Sequence, residues 1–281
     1  MTAPEATSEA AFQFMLITNS PVVATHAVAS GVDLVFVDLE IKGKHERQPG
    51  RSTVISGHTF DDVSRVRAVV PSGRLLVRLN PWDAQSPAEV DQVIALGADH
   101  VMLPMFRGPA ELESLVRKVD GRCSVVGLLE TAEAADSAAE IAAVAGIARL
   151  HIGLNDLHLA LRRRFMFELL VDGTVERVAA ALRKRSVRFG IGGLARVGEG
   201  LVPAESLVAE HVALGSSAAI LSRTFHRNET HDGPLSSGPA LATEIEKLRS
   251  EVRRCRGLSG PALDAIRADT AMRIRRVIGS A

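Results

Sequence analysis

Residues 75–130 read LLVRLNPWDAQSPAEVDQVIALGADHVMLPMFRGPAELESLVRKVDGRCSVVGLLE. Three apolar runs with the length and composition of buried strands occur in this stretch: LLVRLN (75–80), DHVMLP (99–104) and SVVGLLE (124–130). Between them, SPAEVDQVIALG begins with a helix-start signal near Ser86 and ends at Gly97, and PAELESLVRKVDG repeats the pattern. The stretch therefore predicts consecutive strand and helix units of a parallel sheet.

The same pattern extends along the rest of the chain. The further apolar runs are FQFMLIT (12–18), DLVFVDL (33–39), RLHIGL (149–154), RFGIGG (188–193) and AAILS (218–222). Eight strands alternating with helices in about 220 residues favour a closed (β/α)8 barrel, a TIM barrel, over an open doubly wound sheet. We expect a flexible N-terminus at 1–11, a barrel domain at 12–256 and a helical extension at 257–281.

Two amphipathic helices are predicted at the end of the chain, at roughly 240–255 and 261–278. Only the first is needed to complete an eighth strand and helix unit. The second packs either on its own barrel or on that of a neighbouring subunit, so we expect a homo-oligomer.

Composition excludes several classes of protein. The 281 residues are 46% hydrophobic, and 33 basic residues balance 33 acidic ones, so no global field favours nucleic acid or a membrane surface as a partner. No apolar run approaches the length of a membrane-spanning helix, and no signal-peptide pattern precedes Phe12. Cys123 and Cys255 lack metal-ligand spacing and are interpreted as packing residues in a reducing, cytoplasmic setting.

Two carboxylates end neighbouring strands of the predicted barrel. Glu130 ends the fifth run and Asp156 follows the sixth, and active sites of such barrels lie at the carboxyl ends of the strands. Adjacent strands are about 4.8 Å apart, so the two side chains can converge, and a divalent cation would relieve their repulsion. Oxygen ligands with room for water suit Mg²⁺ or Mn²⁺ better than Zn²⁺.

Arg78, which ends the third run, is a candidate catalytic cation at the same rim. A metal with open positions can chelate the carboxylate and keto oxygens of a small-molecule 2-oxo acid. Arg78 would then stabilise the developing enolate or bind the substrate carboxylate.

Five motifs of the chain, taken together, resemble those of a known family. The motifs FVDLE (36–40), VRLN (77–80), GADHVMLP (97–104), GLLET (127–131) and HIGLNDL (151–157), in this order and spacing, resemble the HpcH/HpaI aldolase and citrate lyase β-subunit family of the phosphoenolpyruvate/pyruvate barrel superfamily. The resemblance spans roughly residues 12–225.

The resemblance implies a role for each matched position. Glu130 and Asp156 would ligate the metal, and Arg78 would contact the keto acid. Glu40 would hold metal-bound water, and Asp38 would support the loop or only cap it.

The substrate carboxylate has further predicted contacts. The resemblance implies that the backbone at Leu154, Asn155 and Asp156 binds it, in line with the anion-binding amides at helix starts. Thr131, directly after Glu130, is also assigned to substrate binding.

The sequence departs from the family at the position of the base. The aldolase branch has a histidine directly after the strand-two acid, and this chain has Ile41. His45, four positions later, is our first substitute as proton carrier, and His58 and His211 are weaker alternatives. Leu128 replaces a glutamine that often precedes the metal glutamate, so we expect a different grip on the substrate carboxylate.

Structural interpretations compete with these functional ones. Glu130 and Asp156 could form ion pairs with Arg78 or Arg149, and Arg78 could be buried in a bridge to Glu40. The long polar segment 40–57, EIKGKHERQPGRSTVISG, is either a solvated basic loop or a mobile lid with an anion site.

Two features of the later strands have structural interpretations. His151 lies within the sixth run and is interpreted as a core histidine. Gly192 and Gly193 either cradle a phosphate or permit positive φ and tight packing.

The function predicted from these residues is a metal-dependent carbon–carbon lyase or aldolase that acts through the enolate of pyruvate or a related 2-oxo acid. Its partner substrate would be an aldehyde or related electrophile. One alternative is an acyl-CoA lyase of the malyl- or citramalyl-CoA type. Another, motivated by Ile41, is a catalytically weakened barrel that serves as a binding protein.

Overall fold

A computed structural model describes residues 11–43, 57–226 and 238–279, and it has the predicted (β/α)8 architecture. The strands are β1 (Gln13–Ile17), β2 (Leu34–Asp38), β3 (Leu75–Arg78), β4 (His100–Leu103), β5 (Ser124–Leu129), β6 (Ile147–Ile152), β7 (Phe189–Ile191), β8 (Gly193–Leu194) and β9 (Ala218–Leu221). Each of the eight apolar runs in the sequence contains a strand, and the seventh run contains two.

The helices lie between the strands in sequence. They are α1 (Pro21–Ala29), α2 (Phe60–Arg67), α3 (Ser86–Ala95), α4 (Pro109–Val119), α5 (Ala132–Asp136), α6 (Ala138–Ile141), α7 (Leu154–Ala160), α8 (Thr174–Lys184), α9 (Ala204–Leu214), α10 (Gly238–Arg256) and α11 (Gly260–Gly279), with 3₁₀ turns at Met166–Leu170 and Arg223–His226. Ser86 is the first residue of α3 rather than its cap. Its Oγ accepts a hydrogen bond from the Asp83 amide, which precedes the helix.

All strand pairs are parallel, and their order is β7-β6-β5-β4-β3-β2-β1-β9-β8. The two ends of this order, β7 and β8, are separated in sequence only by Gly192. Gly192 donates to the Ile152 carbonyl at 2.8 Å and accepts from the Ile220 amide at 3.3 Å, so the split strand closes the barrel.

A glycine is required at this split. Gly192 has φ +37°, and a Cβ there would lie 2.8 Å from Cδ1 of Leu154. Of the two interpretations of the GIGG sequence, the model therefore supports positive φ and tight packing.

The core has two layers, as a filled barrel requires. Inside the barrel, eight buried side chains form one cluster: Met15, Leu34, Phe36, Leu76, Met102, Val126, Leu128 and Ala218. A larger apolar cluster lies between the sheet and the surrounding helices. Successive side chains of each strand point alternately into the barrel and toward the helices. Site residues lie at the strand ends on the inward face.

The last helix, α11, packs on its own barrel, which is one of the two arrangements left open by the sequence. Thr270 and Ile274 are fully buried. Arg267 of α11 donates from Nε to Oε2 of Glu210 at 3.0 Å and from Nη2 to Oε2 of Glu176 at 3.2 Å. These contacts join α11 to α9 and α8.

Among the helices of the described ranges, none combines the length and the hydropathy needed to cross a membrane.

Candidate active site

Three polar side chains predicted at the rim lie at carboxyl ends of strands. Asp38 is the last residue of β2, Arg78 is the last residue of β3, and Glu130 directly follows β5. Asp38 and Arg78 are paired in register across the two strands, so their side chains point the same way. Parallel strands therefore bring an acid and a base from distant parts of the sequence into contact.

The Asp38 and Arg78 side chains form a bidentate ion pair. Arg78 Nε donates to Oδ1 of Asp38 at 2.8 Å, and Nη2 donates to Oδ2 at 2.7 Å. The Arg78 side chain is 14% exposed and the Asp38 side chain 2%. The guanidinium of Arg78 also lies over the ring of Phe36, 5.4 Å from the centroid. Two hydrogen bonds and one aromatic face fix the guanidinium plane.

Glu40 belongs to the same charge network. Its Oε2 lies 3.3 Å from Arg78 Nε, and its amide donates to Oδ1 of Asp38 at 3.1 Å. The bridge from Arg78 to Glu40 and the capping contact of Asp38 are thus both present, although Asp38 is the main partner of Arg78. Burial alone would lower the pKa of Arg78, but the charge and hydrogen bonds of Asp38, followed by the charges of Glu40 and Glu130, raise that pKa overall.

Glu130 is a buried carboxylic acid among like charges. Glu130 is only 3% exposed, and its Oε1 accepts a hydrogen bond from the Met105 amide at 3.2 Å. Burial raises the pKa of Glu130 well above its usual value, and the charges of Glu40 and Asp156 raise it further, whereas Arg78 lowers it. Glu130 accordingly lies near all three of these groups.

Gly153 leaves the space that Glu130 occupies. A Cβ at Gly153 would lie 2.8 Å from Oε2 and 2.9 Å from Cβ of Glu130. Its φ of −83° suits any residue, so the requirement for glycine is steric rather than conformational. Sequence reasoning missed both Gly153 and the Met105 amide, although HIGLND contains the glycine between the strand and the acid.

Asp156 lies in the first turn of α7, where it follows Leu154 and the exposed Asn155. Its charge reaches Glu130, as the raised pKa of Glu130 indicates. Arg149, considered as an alternative partner for the two acids, makes no ion pair within the part of the chain that is described. Arg78 pairs with Asp38 and Glu40. Of the ion pairs considered as structural interpretations, the one between Arg78 and Glu40 is therefore present.

The hydroxyl group of Thr131 makes hydrogen bonds to backbone groups of the protein. Its Oγ1 donates to the Phe106 carbonyl at 2.8 Å and accepts from the Ala134 amide at 3.1 Å. The hydroxyl therefore caps α5 and ties it to the loop after β4, and its predicted contact with substrate stays a prediction.

The three histidines considered as proton carriers have different outcomes. His45 lies outside the described residues. His58 Nδ1 accepts a hydrogen bond from the Asp38 amide at 3.0 Å, beside the ion-pair network. His211 is buried, with Nδ1 2.8 Å from Ser216 Oγ and its ring against Phe12 before β1, so it lies at the opposite end of the barrel and is wrong as a proton carrier.

The chain after Glu40 is held by a residue to which the sequence assigned no role. Asn80 Oδ1 accepts from the amides of Ile41 at 3.0 Å and Lys42 at 3.1 Å, and its Nδ2 donates to Glu89. Lys42 is paired with Asp83 at 2.6 Å on the surface, which favours the solvated interpretation for this lysine. The other basic residues of the loop, Lys44, His45, Arg47 and Arg51, lie outside the described ranges.

The donors at this rim fit a hard cation with few protein ligands. The acids Glu130 and Asp156 offer only oxygen, and their mutual repulsion with Glu40 is the kind that a divalent cation relieves. No group of three histidine, cysteine, aspartate or glutamate side chains forms a closed metal site in the described parts of the chain. A cation here would complete its coordination with water or substrate, as Mg²⁺ commonly does.

Solved structures share this fold at low sequence identity. The citrate lyase β subunit complexed with oxaloacetate and magnesium from M. tuberculosis is 19% identical, with a TM-score of 0.61 and coverage of 87% of this chain and 98% of that one. The protein CitE of Mycobacterium tuberculosis in complex with magnesium and pyruvate is 18% identical, with a TM-score of 0.60 and coverage of 94% and 99%. An HpcH/HpaI aldolase from Desulfitobacterium hafniense DCB-2 is 17% identical, with a TM-score of 0.59 and coverage of 90% and 95%.

Comparison with curated protein sequences finds no match. The model of the HpcH/HpaI aldolase/citrate lyase family matches residues 12–191, which is more than half of the chain and includes Asp38, Arg78, Glu130 and Asp156. The chain belongs to the HpcH/HpaI aldolase/citrate lyase family.

Proposed function

We propose that this protein is a divalent-metal-dependent carbon–carbon lyase or aldolase that acts through the enolate of pyruvate or a related 2-oxo acid. The observation that carries the proposal is the position of Glu130, which is buried directly after β5 at the same end of the barrel as the Asp38–Arg78 ion pair, and whose pKa is raised by burial and by the charges of Glu40 and Asp156. Family membership supports lyase or aldolase chemistry in general.

The metal would be held by Glu130 and Asp156, with Mg²⁺ favoured over Mn²⁺. Carboxylate oxygens suit both ions, and magnesium is the metal named with oxaloacetate and with pyruvate in the two M. tuberculosis structures. A cation held there supplies Lewis acidity to a bound 2-oxo acid. Glu40 would hold a water molecule beside the cation.

Arg78 would donate to the 2-oxo acid from its remaining edge. Asp38 uses Nε and one hydrogen of Nη2, which leaves Nη1 for an oxygen of the substrate. Because the guanidinium is already fixed by Asp38 and Phe36, its charge needs no reorganisation when the enolate oxygen becomes negative. Asp38 is then a positioning residue that acts through Arg78.

The substrate carboxylate would be bound by the amides of Leu154, Asn155 and Asp156 in the first turn of α7. This position is next to the proposed metal ligand Asp156, so one substrate can contact the cation and the amides together. The hydroxyl of Thr131 would shape the adjoining loop, and its direct contact with substrate stays a prediction.

His58 is our candidate proton carrier among the described histidines. Because Nδ1 accepts from the Asp38 amide, the proton of the neutral imidazole is on Nε2, and His58 takes up a second proton at Nδ1 only when that hydrogen bond is released. In the cleavage direction the carrier removes the proton of the hydroxyl group, the carbon–carbon bond breaks, an aldehyde leaves and the enolate is protonated to the 2-oxo acid. His45, in the preceding loop, stays the alternative carrier.

Exchange of the pyruvate methyl protons with deuterated water tests the proposal, because enolate formation is its central step. We expect loss of the methyl ¹H NMR signal with Mg²⁺ or Mn²⁺, no loss with excess chelator, and no loss with Glu130→Gln. Glu133→Gln, an exposed acid three residues later, is the matched control and should exchange normally. Absence of exchange for pyruvate and related 2-oxo acids with both metals contradicts the proposal.

An acyl-CoA lyase is the second candidate, because the segment VDLE (37–40) suits that branch of the family as well. A lyase of this kind cleaves malyl- or citramalyl-CoA, whereas a keto-acid aldolase leaves both thioesters intact. Tight Mg²⁺ binding with neither thioester cleavage nor proton exchange would instead indicate a weakened barrel that serves as a binding protein. The predicted homo-oligomer stays a prediction.

A further inference from the structure

Two arginines lie side by side at the amino-terminal end of the barrel, opposite the candidate active site. Arg149 is the third residue of β6, and Arg188 directly precedes β7. Leu150 is in register with Phe189, and its amide donates to the Arg188 carbonyl at 3.0 Å. Arg149 and Arg188 are therefore neighbours on adjacent parallel strands, about 4.8 Å apart along the hydrogen-bonding direction.

Both side chains project from the inward face of the sheet. Leu150 and Phe189 belong to the outer apolar cluster, so the residues that precede them point the other way. Arg149 is also in register with Val126, whose side chain belongs to the cluster inside the barrel. Two positive charges thus lie on neighbouring strands at the amino-terminal end of the barrel, the Arg149 side chain buried and that of Arg188 exposed.

Neither guanidinium has a hydrogen-bonded or ion-paired partner among the residues that the structure describes. Arg149 is 9% exposed, and its Nη1 is buried without a hydrogen-bond acceptor. Asp33 is the acid whose charge acts on Arg149, but its Oδ2 already accepts from the Phe14 amide at 2.7 Å and from Arg249 Nη2 at 3.0 Å. Burial, together with the charge of Arg188, lowers the pKa of Arg149 to about 10.

A groove beside Arg188 is lined by no acidic side chain among the residues that the structure describes. Arg188 lines a groove of about 480 Å³ between the segment before β6 and the segment before β7. The charged residues that line it are Arg185 and Arg188, and its other walls are mainly alanine, valine and isoleucine side chains. An anion in this groove would therefore contact Arg188 and none of the described carboxylates.

We propose that the amino-terminal end of this barrel binds a small oxyanion, a phosphate or carboxylate group, between Arg149 and Arg188. A guanidinium offers a planar pair of donors that matches two oxygens of such a group. Two guanidinium groups on neighbouring strands can share one anion, which supplies acceptors to Arg149 Nη1 and offsets the repulsion between the cations. A buried polar group without a partner is otherwise costly.

Thermal unfolding of the full chain tests the site when phosphate is titrated at constant ionic strength without divalent metal. We expect the unfolding midpoint to rise with phosphate and not with chloride. The half-saturating phosphate concentration should rise at least tenfold in Arg149→Met and in Arg188→Met. Arg275→Met, which replaces an exposed arginine of α11 that belongs to neither site, should respond as the wild type does.

Separate titrations with a phosphate monoester and with a dicarboxylate distinguish the possible sources of the oxyanion. The site is supported if any of these ions raises the unfolding midpoint of the wild type but not that of Arg149→Met. The ion with the smallest half-saturating concentration then gives the ligand class. Arg188→Met keeps the test valid if Arg149→Met does not fold, because Arg188 is exposed. The proposal is overturned if no ion raises the midpoint, if both variants respond as the wild type does, or if sedimentation shows that the two arginines instead join copies of the chain.

Discussion

The guanidinium of Arg78 and the carboxylate of Asp38 meet edge to edge, with hydrogen bonds of 2.8 Å from Nε to Oδ1 and 2.7 Å from Nη2 to Oδ2. They are last residues of neighbouring strands and lie in register. The pair holds a buried cation in one orientation and leaves one edge of the guanidinium toward the rim. An ammonium group cannot reproduce this arrangement, because it is a point charge without a planar fork.

Replacement of this cation tests its orientation separately from its charge. We expect Arg78→Lys to lower kcat/KM for enolate formation by roughly 100- to 1,000-fold, the size of effect seen when one preorganised donor to an oxyanion is lost. Rates of methyl-proton exchange measure the effect. Arg74→Lys, just before the start of the same strand and exposed, is the matched control. A rate for Arg78→Lys within threefold of wild type contradicts the role.

Metal binding should stabilise the fold through Glu130. A ligand that binds only the folded state at 100 times its dissociation constant adds about 2.7 kcal/mol to the free energy of unfolding. We therefore expect Mg²⁺ to raise the unfolding midpoint of the wild type and of Glu133→Gln, and to leave that of Glu130→Gln unchanged. Equal Mg²⁺ responses in all three proteins would place the cation elsewhere. Differential scanning fluorimetry is sufficient for the comparison.

The strands and the strand-end acids could be predicted from the sequence because both follow local patterns. Apolar runs mark the strands, and a barrel brings all carboxyl ends of its strands to one rim. The split of the seventh run at Gly192 could not be predicted in this way, since it depends on the contact of that glycine with Leu154.

The partners of the site residues were harder to predict than the residues themselves. Glu40 was the expected partner of Arg78, whereas Asp38 is the main one. That choice depends on the register between β2 and β3, which is set by long-range pairing of residues 40 positions apart. The opposite location of His211 likewise follows from the position of α9 around the barrel and not from any local pattern.

Gly153 should be required for the position of Glu130. We expect Gly153→Ala to push a methyl group into the carboxylate and to weaken Mg²⁺ binding at least tenfold, with a loss of stability of about 1–3 kcal/mol from overpacking. Gly108→Ala is the matched control, because a Cβ there meets no atom within 4 Å and its φ of −166° suits any residue. Calorimetric Mg²⁺ titration of both variants measures the difference. Wild-type affinity in Gly153→Ala contradicts the steric argument.

His58 should carry a proton if it is the residue that replaces the missing base. We expect His58→Gln to lower kcat for proton exchange by about 100-fold, the typical contribution of general acid–base catalysis, with a much smaller change in KM. Glutamine can still accept from the Asp38 amide, so the loop should keep its position. His100→Gln, at the other end of the barrel, is the control. An unchanged kcat in His58→Gln transfers the role to His45.

Acid should unfold this protein through two histidines that are buried in the neutral form. Burial lowers the pKa of His151 to about 4, and burial together with the charge of His151 lowers the pKa of His211 to about 3. In the unfolded chain both return to a value near 6.5. The unfolded state therefore binds more protons below that pH, so the stabilisation is complete above about pH 6.5 and is lost as the pH falls toward the folded-state values.

The measurement is the free energy of unfolding in urea between pH 7.5 and pH 4.5, a range above the titration of most aspartates. Each histidine should contribute a slope of up to about 1.4 kcal/mol per pH unit in the lower part of this range. His211→Gln should lower stability at pH 7.5, because the contact with Ser216 changes, and should reduce the slope by about that amount. His26→Gln, at a partly exposed position of α1, is the control for loss of a histidine outside the core. A slope in His211→Gln equal to that of the wild type would mean that His211 is protonated in the folded protein or that water reaches it.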